Sequence, residues 1–457
     1  MRKDVEELSR RLGDVRIHTG AQYRYSYNFD ATGRRGECLG VVFPEGLDPL
    51  VRIVREAGRV GLPVFMRGAG TGFSGGSVPV GGGLVVSTEK MRRVLDFNRT
   101  ASTVEVEAGI VNKELQDYLY PHGFFYPPDP ASLKVSTIGG NIAENAGGPR
   151  AYKYGVTRRY VLSLTWITIA GEVIESPFEG VAALLTGAEG TLGVIYSARL
   201  DIRPLPEVAV TSVVQAGNGP DAMERAAELL SSGFCPTVLE FIDSRTMACV
   251  SEYMQANEFD TGDSFLFFEV DGPRDEVATQ QEILESYCRE NGLGIVKAGD
   301  ETERETLWEL RRAISPSLAR KGITKVNEDV SLPLGSLADA VSFINDRASQ
   351  LDLDCYVFGH CGDGNLHVNI MTDRRKTEEM RRSMIFVRDL FEEVVRLGGT
   401  LSGEHGIGIT KNRYLDILFS GGELELQKNL KRCFDPEEYL NPGKYFSGIV
   451  SSGSGRS

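Results

Sequence analysis

Near the end of the chain, three histidines and a glutamate have the residue types of a catalytic metal site. His360 and His367 stand in GHCGDGNLH, and Glu404 and His405 are neighbours in SGEHGIG. Imidazole and carboxylate groups bind zinc, manganese or iron, and two histidines with one glutamate leave coordination positions open. The pattern predicts a divalent metal held by His360, His367 and Glu404; histidines scattered over surface turns are the alternative that the residues alone leave open.

The segment between His360 and His367 must bring the two imidazoles together. In one uninterrupted strand, residues seven positions apart point to opposite faces. Asp363-Gly364-Asn365 is a strong tight-turn signal. It predicts a strand, a turn and a second strand that aim both side chains inward.

A glycine-rich stretch in the first quarter of the chain has the composition of an anion-binding loop. RGAGTGFSGGSVPVGGG, from Arg67 to Gly83, holds eight glycines in seventeen residues, so consecutive backbone N–H groups can approach phosphate oxygens. Gly70 to Gly75 match the dinucleotide motif G-x-G-x-x-G, but that motif must open a helix, which the following glycines and Pro79 prevent. We predict a pyrophosphate-binding loop, with a merely flexible loop as the alternative.

Bulk properties exclude several classes of protein. A chain of 457 residues is expected to form two or three domains. Its net charge of -14 argues against nucleic acids and anionic membrane surfaces as partners, since both need a basic footprint. There is no run of 18 apolar residues and no C-x-x-C pair among the seven cysteines. We expect a cytoplasmic protein that associates with membranes only through a partner, without a disulfide framework or an iron–sulfur cluster of its own.

Local patterns indicate helices and strands in both halves. Apolar residues from Leu50 to Val60 recur at helical spacing, Pro63 to Met66 has the composition of a buried strand, and Leu84 to Phe97 alternates like a strand. After Pro206 the glycine content falls and strands alternate with helices. This rhythm predicts an antiparallel sheet with helices on one face, and an α+β fold class for the chain.

The order of the motifs resembles a known family. RGAGTGFSGGSVP, PPDPAS, STIGGNIAENAGGP, KYGVT, LTGAEGTLGVI, GHCGDGNLH, GGTLSGEHGIGI and LNPGKYF occur in this order. The sequence is similar to the FAD-linked 2-hydroxy acid dehydrogenases of the vanillyl-alcohol-oxidase superfamily, which include the flavoprotein subunit of glycolate oxidase, D-lactate dehydrogenase and D-2-hydroxyglutarate dehydrogenase. The motifs span nearly the whole chain.

The resemblance implies an architecture. It predicts a two-subdomain FAD-binding domain of the p-cresol methylhydroxylase (PCMH) type over residues 1–205. An α+β cap domain with an antiparallel sheet, which binds substrate and metal, is expected over 206–412. A short helical segment, 413–457, would return to the FAD-binding domain.

The resemblance also implies a set of cofactor-binding residues. No histidine or cysteine lies between Arg67 and Val86, so we predict non-covalent FAD. The residues implied are Arg67, Gly68, Ala69, Gly70, Thr71, Gly72, Ser74, Gly75, Pro128, Ser132, Ser136, Thr137, Gly139, Gly140, Asn141, Asn145, Gly148, Glu189, Gly190, Val194, Ile195 and Asn441.

The implied reaction is oxidation of a D-2-hydroxy acid to the 2-oxo acid. The metal would chelate the substrate and polarise its hydroxyl, His405 would act as the base, and hydride would pass from C2 to flavin N5. By the resemblance, Arg311 matches an arginine that binds the substrate carboxylate, although a solvated basic helix face explains a single arginine as well. Lys325 is a tentative substrate residue, because the lysine of hydroxyglutarate enzymes has no clear match in KVNEDVSLP.

That departure favours D-lactate or glycolate, with D-2-hydroxyglutarate as the alternative substrate. Electrons would leave to an external acceptor: an iron–sulfur subunit, an electron-transfer flavoprotein or a quinone, with oxygen a weaker option. The chain would then be a flavoprotein subunit of a larger complex or a separate dehydrogenase, and a homodimer is one assembly open to it. A metal-free oxidase of the same superfamily, a non-haem iron enzyme and a non-catalytic subunit each leave part of the motifs unexplained.

Overall fold

The structure is a computed structural model that describes residues 3–256, 259 and 262–445. The chain forms two compact units, and each is made from separate stretches of sequence. Unit 1 comprises 1–147, 156–205 and 404–457, and unit 2 comprises 148–155 and 206–403. The predicted boundaries at 205 and 412 stay predictions for the domains; the compact units are divided after 205 and 403.

The first part of the chain contains short strands and amphipathic helices. Its strands are β1 (Cys38–Val42), β2 (Val64–Arg67), β3 (Gly83–Ser87), β4 (Val94–Asn98), β5 (Thr103–Glu107), β6 (Phe124–Phe125), β7 (Val161–Ile167), β8 (Val173–Pro177), β9 (Val194–Asp201) and β10 (Arg203–Pro204). Its helices are α1 (Lys3–Leu12), α2 (Ala21–Ser26), α3 (Leu47–Arg59), α4 (Asn112–Leu119), α5 (Ile138–Glu144), α6 (Ala151–Tyr154) and α7 (Ala183–Leu185). Of these, α6 belongs to unit 2.

Unit 1 contains two main sheets, as expected for two subdomains. A parallel sheet has the order β1-β3-β2, and an antiparallel sheet has the order β4-β5-β9-β7-β8. Helix α3 buries Leu50, Ile53, Val54 and Ala57, which recur at helical spacing and pack into one core with β2 and β3. Burial of this stripe is the main reason that the sequence forms a helix here.

Local predictions in unit 1 are confirmed with one correction. The helix predicted from Leu50 and the strand predicted from Pro63 appear as α3 and β2. The single strand predicted from Leu84 to Phe97 is wrong: the chain forms β3 and β4, which belong to different sheets. Between them Met91 turns inward and is fully buried, which interrupts the alternation of a strand.

Unit 2 alternates strands and helices along the chain. Its further strands are β11 (Val208–Gln215), β12 (Val238–Ile242), β13 (Phe265–Gly272), β14 (Ile295–Lys297), β15 (Thr324–Ser331), β16 (Cys355–Gly359) and β17 (Asn365–Thr372). Its further helices are α8 (Gly219–Ser231), α9 (Ser244–Met254), α10 (Arg274–Glu290), α11 (Glu301–Arg312), α12 (Ile314–Leu318), α13 (Leu337–Gln350) and α14 (Thr377–Arg396).

These strands form one seven-stranded sheet in the order β14-β11-β13-β12-β16-β17-β15, and each pairing is antiparallel. This confirms the predicted antiparallel sheet. The prediction that helices cover only one face of this sheet is wrong. Helices α9, α11 and α12 pack on the face that carries Ile242 and Phe267, and α10 contacts the other face, where Gln281 meets Ser212. Strands β12, β16 and β17 are buried along their whole length, which requires cover on both faces.

The end of the described chain belongs to unit 1. It forms α15 (Leu415–Leu418) and α16 (Gly421–Phe434), after which Leu440 makes a parallel bridge to Val64 at the start of β2. The motif LNPGKYF thus returns to the cofactor-binding unit up to Tyr445, and Phe446 lies outside the described residues. No helix in the described part of the chain is long and apolar enough to span a membrane.

Candidate functional site

Unit 1 contains a cavity whose wall is built mainly from the glycine-rich motifs. Backbone and small side chains dominate the wall, because the motifs supply glycine, alanine, serine and threonine at the positions that face inward. The predicted cofactor residues in the wall are Arg67, Gly68, Ala69, Gly70, Thr71, Gly72, Ser132, Ser136, Thr137, Gly139, Gly140, Asn141, Glu189, Gly190, Ile195 and Asn441.

The glycine-rich loop runs from β2 to β3 without a helix, as predicted. Arg67, the last residue of β2, donates from Nη1 to the carbonyl of Phe29 at 2.6 Å and to the hydroxyl of Ser77 at 3.2 Å. These two bonds attach the start of the loop to its far end and to a neighbouring segment. Gly70 has φ +71° and an added Cβ would meet the Arg67 guanidinium, so only glycine fits there.

Buried polar atoms in the wall indicate that the cavity holds a polar ligand. Burying such an atom without a hydrogen bond costs free energy, so proteins rarely leave a group of them together. Within the described residues, several buried polar atoms of the wall have no hydrogen-bond partner. They are Asp30 Oδ2, Ser136 Oγ, Asn141 Nδ2, Glu144 Oε2, Glu189 Oε2 and Asn441 Oδ1. This donor and acceptor set fits the ribityl, pyrophosphate and ring heteroatoms of FAD.

Two buried carboxyl groups, Glu144 and Glu189, lie in the wall beside the loop that carries His405. The backbone N–H of Ile407 donates to Glu189 Oε1 at 2.7 Å. Gly406 has φ +89°, and a Cβ there would come within 2.8 Å of the Glu144 carboxylate and 2.9 Å of that of Glu189. Burial and the charge of Glu189 raise the pKa of Glu144 well above its ordinary value.

Glu404 and His405 both line the cavity of unit 1. The imidazole of His405 lies against the ring of Phe73, with centroids 4.9 Å apart, and its Nε2 is 4.0 Å from Glu404 Oε1. The predicted base is therefore in the cavity wall, next to the predicted carboxylate ligand. Sequence reasoning missed Glu144, Asp30 and Phe73 as wall residues, although Phe73 lies inside the glycine-rich motif.

Two predicted cofactor residues of the loop lie behind the wall. The hydroxyl of Ser74 is fully buried and donates to Glu144 at 3.0 Å. The carbonyl of Gly75 accepts a hydrogen bond from the ammonium group of Lys444, which also donates to Val78. Burial lowers the pKa of Lys444 to about 8. Lys444, in the motif LNPGKYF, thus holds the glycine-rich loop in place, a role that sequence reasoning missed.

The other predicted cofactor residues outside the wall have structural contacts. The carbonyl of Pro128 accepts from Asn112 Nδ2 at 3.1 Å, and Asn145 ends α5 in a left-handed conformation while its side chain accepts a backbone N–H. Val194 is in the core, because it alternates on β9 with Ile195, which faces the cavity. Gly148 belongs to unit 2.

In unit 2 the two histidines of the candidate metal site are neighbours. His360 follows β16, a single 3-10 turn at Cys361–Asp363 reverses the chain, and His367 lies on β17 opposite Phe358. The two buried imidazoles are 5.1 Å apart between ring centroids, nearly perpendicular to each other. The predicted strand, turn and strand are confirmed.

One face of the sheet, which we call the histidine face, carries Glu240, Glu269, His367 and Asp329. In a sheet, alternate residues of a strand and direct cross-strand partners share a face. Glu240 and Glu269 are fully buried on β12 and β13. His367 is opposite Asp329 on β15.

The predicted substrate residue Lys325 is on the histidine face, at the far end of β15. It is opposite Met371, and the next residue of this face on β15, Asn327, is opposite Asn369. From Lys325 to Asp329, the side chains of β15 on this face are therefore those of Lys325, Asn327 and Asp329. Asp329 is buried and is opposite His367.

Arg311, on α11, is paired with a buried glutamate that sequence reasoning missed. Its Nε donates to Glu240 Oε2 at 2.5 Å, and the other oxygen of Glu240 is hydrogen-bonded to Nδ1 of His360. Burial opposes ionisation of Glu240, but the charge of Arg311 and the contact with His360 hold its pKa at about 2. No local motif marks Glu240, which is separated by 71 and 120 residues from its two partners.

Comparison with known proteins identifies the family. The family model described as FAD linked oxidases, C-terminal domain, matches residues 205–445, more than half of the chain, and the model described as FAD binding domain matches 38–176. The chain belongs to the FAD-linked oxidases. This membership confirms an FAD-dependent oxidoreductase, and the matched FAD-binding region contains most residues of the cavity wall.

Individual FAD-linked oxidases are similar over their full length. Glycolate oxidase subunit GlcD of Bacillus subtilis is 34% identical over 97% of each chain. D-lactate dehydrogenase of Archaeoglobus fulgidus is 33% identical over 92% of this chain and 95% of its own, and D-2-hydroxyglutarate dehydrogenase of Stutzerimonas stutzeri is 30% identical over 97% and 98%. The predicted family of 2-hydroxy acid dehydrogenases is confirmed.

Solved structures of more distant FAD-linked oxidases share the fold. p-Cresol methylhydroxylase with substrate bound has a TM-score of 0.80 at 15% identity, covering 99% of this chain and 97% of that chain. 4-Ethylphenol oxidase from Gulosibacter chungangensis has a TM-score of 0.79 at 17% identity, covering 97% and 96%. The α+β class and the PCMH-type FAD-binding fold are thereby confirmed.

Proposed function

We propose that this protein is an FAD-dependent dehydrogenase that oxidises a small D-2-hydroxy acid, with D-lactate or glycolate preferred, to the 2-oxo acid. The observation that carries the proposal is the pair of buried imidazoles, His360 and His367, on a face lined by charged and amide side chains. A flavoprotein that only oxidised an apolar or phenolic substrate would have no use for these groups. The named relatives act on, or are named for, 2-hydroxy acids.

His360, His367 and Glu404 fit a divalent metal by the chemistry of their donors, two imidazoles and a carboxylate. Glu404 follows Gly403 directly in the chain, and Gly403 is fixed in unit 2, where its N–H donates to Asp329 at 2.8 Å. An added Cβ on Gly403 would meet the side chain of Asn365, in the turn before His367. Chain connectivity thus keeps Glu404 within one residue of the strand pair that carries the histidines. The bound metal would supply Lewis-acid polarisation of the substrate hydroxyl.

His405 is the proposed base, taking the hydroxyl proton at Nε2. This nitrogen is 4.0 Å from the carboxylate of Glu404, so a substrate hydroxyl held by the Glu404 ligand set would lie within its reach. The stack against Phe73 fixes the plane of the imidazole. FAD, bound non-covalently in the cavity of unit 1, would accept the electron pair from the substrate.

The charge along β15 supports a monocarboxylate substrate. Its histidine-face side chains nearest His367 are Asp329 and Asn327, neither of which is a cation. A second substrate carboxylate would meet the like charge of Asp329 there, unless it extended as far as Lys325. Arg311 is the proposed group that binds the carboxylate next to the hydroxyl, held in place by Glu240.

Electrons are proposed to leave reduced FAD to an external acceptor. The cysteines of this chain are free, two exposed and five buried. One relative is named as a subunit of glycolate oxidase, which supports a partner protein that carries the electrons onward. An iron–sulfur subunit, an electron-transfer flavoprotein and a quinone pool are the acceptors to compare, and the cytoplasmic location and a homodimer stay predictions.

Anaerobic flavin reduction tests the proposal. The purified protein is mixed with D-lactate, L-lactate, glycolate or D-2-hydroxyglutarate, and bleaching of the flavin band is followed while the metal content is measured on the same sample. We expect D-lactate or glycolate to reduce the flavin fastest. Faster reduction by D-2-hydroxyglutarate would reassign the substrate and place its distal carboxylate at Lys325. Reduction by none of them would contradict the proposed function.

A further inference from the structure

We propose that Glu240 is a positioning residue that makes His360 a metal ligand by fixing which of its ring nitrogens carries the proton. This inference rests on the proposed function, because it concerns the metal of the same site. It goes beyond the ligand set by assigning a role to a buried carboxylate on another strand, and by explaining why Arg311 must pair with it.

Glu240 is held between two donors. Its side chain is fully buried on β12, Oε2 accepts from Arg311 Nε at 2.5 Å, and Oε1 is bonded to His360 Nδ1. An ionised carboxylate can only accept hydrogen bonds. Nδ1 of His360 therefore carries a proton.

The proton on Nδ1 determines the chemistry of the other nitrogen. In a neutral imidazole one nitrogen carries the hydrogen and the other has a lone pair. With the hydrogen on Nδ1, the lone pair is on Nε2 of His360, which is the form that binds a metal. A carboxylate behind a ligating histidine also raises its basicity and fixes the ring orientation.

Arg311 supplies the charge that lets Glu240 stay ionised in the protein interior. A buried carboxylate without a cation would be strongly destabilising. The guanidinium also lies over the ring of Phe358, at 5.2 Å from its centroid, on the strand that leads to His360. The three side chains are thus one unit, in which each acceptor oxygen of Glu240 has its own donor.

The histidine face offers a matched control in Glu269. This glutamate is equally buried, on the neighbouring strand β13, and its Oε2 accepts from Arg304 at 2.8 Å and from Trp308 at 2.8 Å. It thus has the same kind of partner on the same helix, α11, as Glu240 has. Within the described residues, Glu269 forms no hydrogen bond with His360.

The test is the metal affinity of Glu240→Gln, measured by competition with a coloured chelator using Zn²⁺ and Mn²⁺. An amide has only one acceptor oxygen, and the charged donor Arg311 takes it. The NH2 group then faces His360 and forces Nδ1 to accept, which puts the hydrogen on Nε2. We expect about 10- to 100-fold weaker metal binding, the range found when such supporting groups are removed. FAD content should change little.

A second variant separates the tautomer from a general loss of structure. In Glu240→Gln/Arg311→Met the amide can turn its oxygen toward His360, since no guanidinium competes for it. Metal affinity should then recover toward the wild-type value. Arg311→Met alone should lower the melting temperature more than the double variant does, because it leaves the buried carboxylate of Glu240 without its cation. Glu269→Gln should leave metal affinity unchanged.

The outcomes distinguish this inference from the proposed function. Wild-type protein that binds no metal would overturn both. Wild-type protein that binds metal, with Glu240→Gln equally tight, would overturn the role of Glu240 and leave the proposed function standing. A double variant as weak as Glu240→Gln would contradict the tautomer mechanism, and recovery would support it.

Discussion

The cavity of unit 1 and the histidine face of unit 2 differ in how their buried glutamates are paired. In the cavity wall, atoms of Ser136, Asn141 and Glu144 are buried without a hydrogen-bond partner in the described residues. On the histidine face, both oxygens of Glu240 are paired, and one oxygen of Glu269 accepts from three donors while its other oxygen has no hydrogen-bond partner in the described residues. The first region thus has buried polar atoms for a large ligand, whereas arginine side chains neutralise the buried glutamates of the second.

Because of this difference, the cavity can be recognised from sequence motifs more easily than the histidine face can. A cavity that binds its ligand largely through backbone and small side chains needs glycine-rich motifs, and these are continuous in sequence. A scaffold of paired charges needs only single residues on different elements. The predictions that follow test the contrast, in order of decreasing expected effect.

Removal of the proposed metal should abolish turnover and leave the cofactor in place, because the proposed ligands His360 and His367 belong to unit 2, whereas the predicted FAD residues of the cavity wall belong to unit 1. We expect dialysis against a strong chelator to eliminate substrate-dependent flavin reduction, with an unchanged visible spectrum. Adding back Zn²⁺ or Mn²⁺ should restore the rate, which is measured by anaerobic stopped flow. Unchanged reduction after metal removal, verified by elemental analysis, would contradict the metal role.

Replacement of the proposed base should separate catalysis from cofactor binding within unit 1. His405→Ala should slow flavin reduction by about 10² to 10⁴-fold, the usual contribution of a general base, while FAD stays bound. His122→Ala is the matched control, since His122 is exposed and stacks near Phe97 outside the cavity wall. Rapid reduction in His405→Ala, or equal losses in both variants, would refute the assignment.

The paired charges of the histidine face should contribute strongly to stability. Glu269→Ala removes a fully buried acceptor of Thr211, Trp308 and Arg304, at a cost of about 1 to 3 kcal/mol of unfolding free energy, because the buried donors of Thr211 and Trp308 lose their partner. Glu305→Ala, which breaks the exposed pair with Arg312, should cost less than about 1 kcal/mol. Urea unfolding followed by tryptophan fluorescence measures both. Similar losses of unfolding free energy in the two variants would show that a buried pair on this face stabilises the protein no more than an exposed pair does.

The two buried carboxyl groups of the cavity, Glu144 and Glu189, should make the FAD-free protein sensitive to pH. The pKa of Glu144 is raised by burial and by Glu189, so the folded protein keeps a proton that the unfolded chain loses above the ordinary value of 4.5. Stability of the wild type should therefore fall as pH rises from there toward the folded pKa.

Glu144→Gln lacks this titration. Its advantage over the wild type should grow as the pH rises above 4.5 and vanish near pH 4, where both states of the wild type hold the proton. Melting of the FAD-free proteins across this range measures the difference. A difference that is constant with pH would contradict the raised pKa.

Local signals predicted much of the molecule. The turn between His360 and His367, the loop after Arg67 and the helix from Leu50 depend on neighbouring residues, and each was predicted correctly. The division between β3 and β4 was not, because apolar residues continue across it, and Met91 is buried in the same core as Leu84 and Val86 although it lies outside both strands.

What sequence reasoning missed depends on residues far apart in the chain. Glu240 acquires its role only when β12 lies near the end of β16. Lys444 reaches Gly75 across 369 residues. Helices cover both faces of the sheet because its central strands are buried along their whole length, which becomes evident only when all the strands are assembled.

The return of the chain to unit 1 has a consequence for biosynthesis. A ribosome completes the sequence of unit 2, which ends at 403, before it has made the residues that finish unit 1. Until then β2 lacks its bridge to Leu440, and the carboxyl group of Glu189 lacks the backbone donor of Ile407. Since domains generally fold as units while the chain is being made, we expect unit 2 to fold first and the enzyme to acquire FAD only after the residues from 404 to 441 have been made.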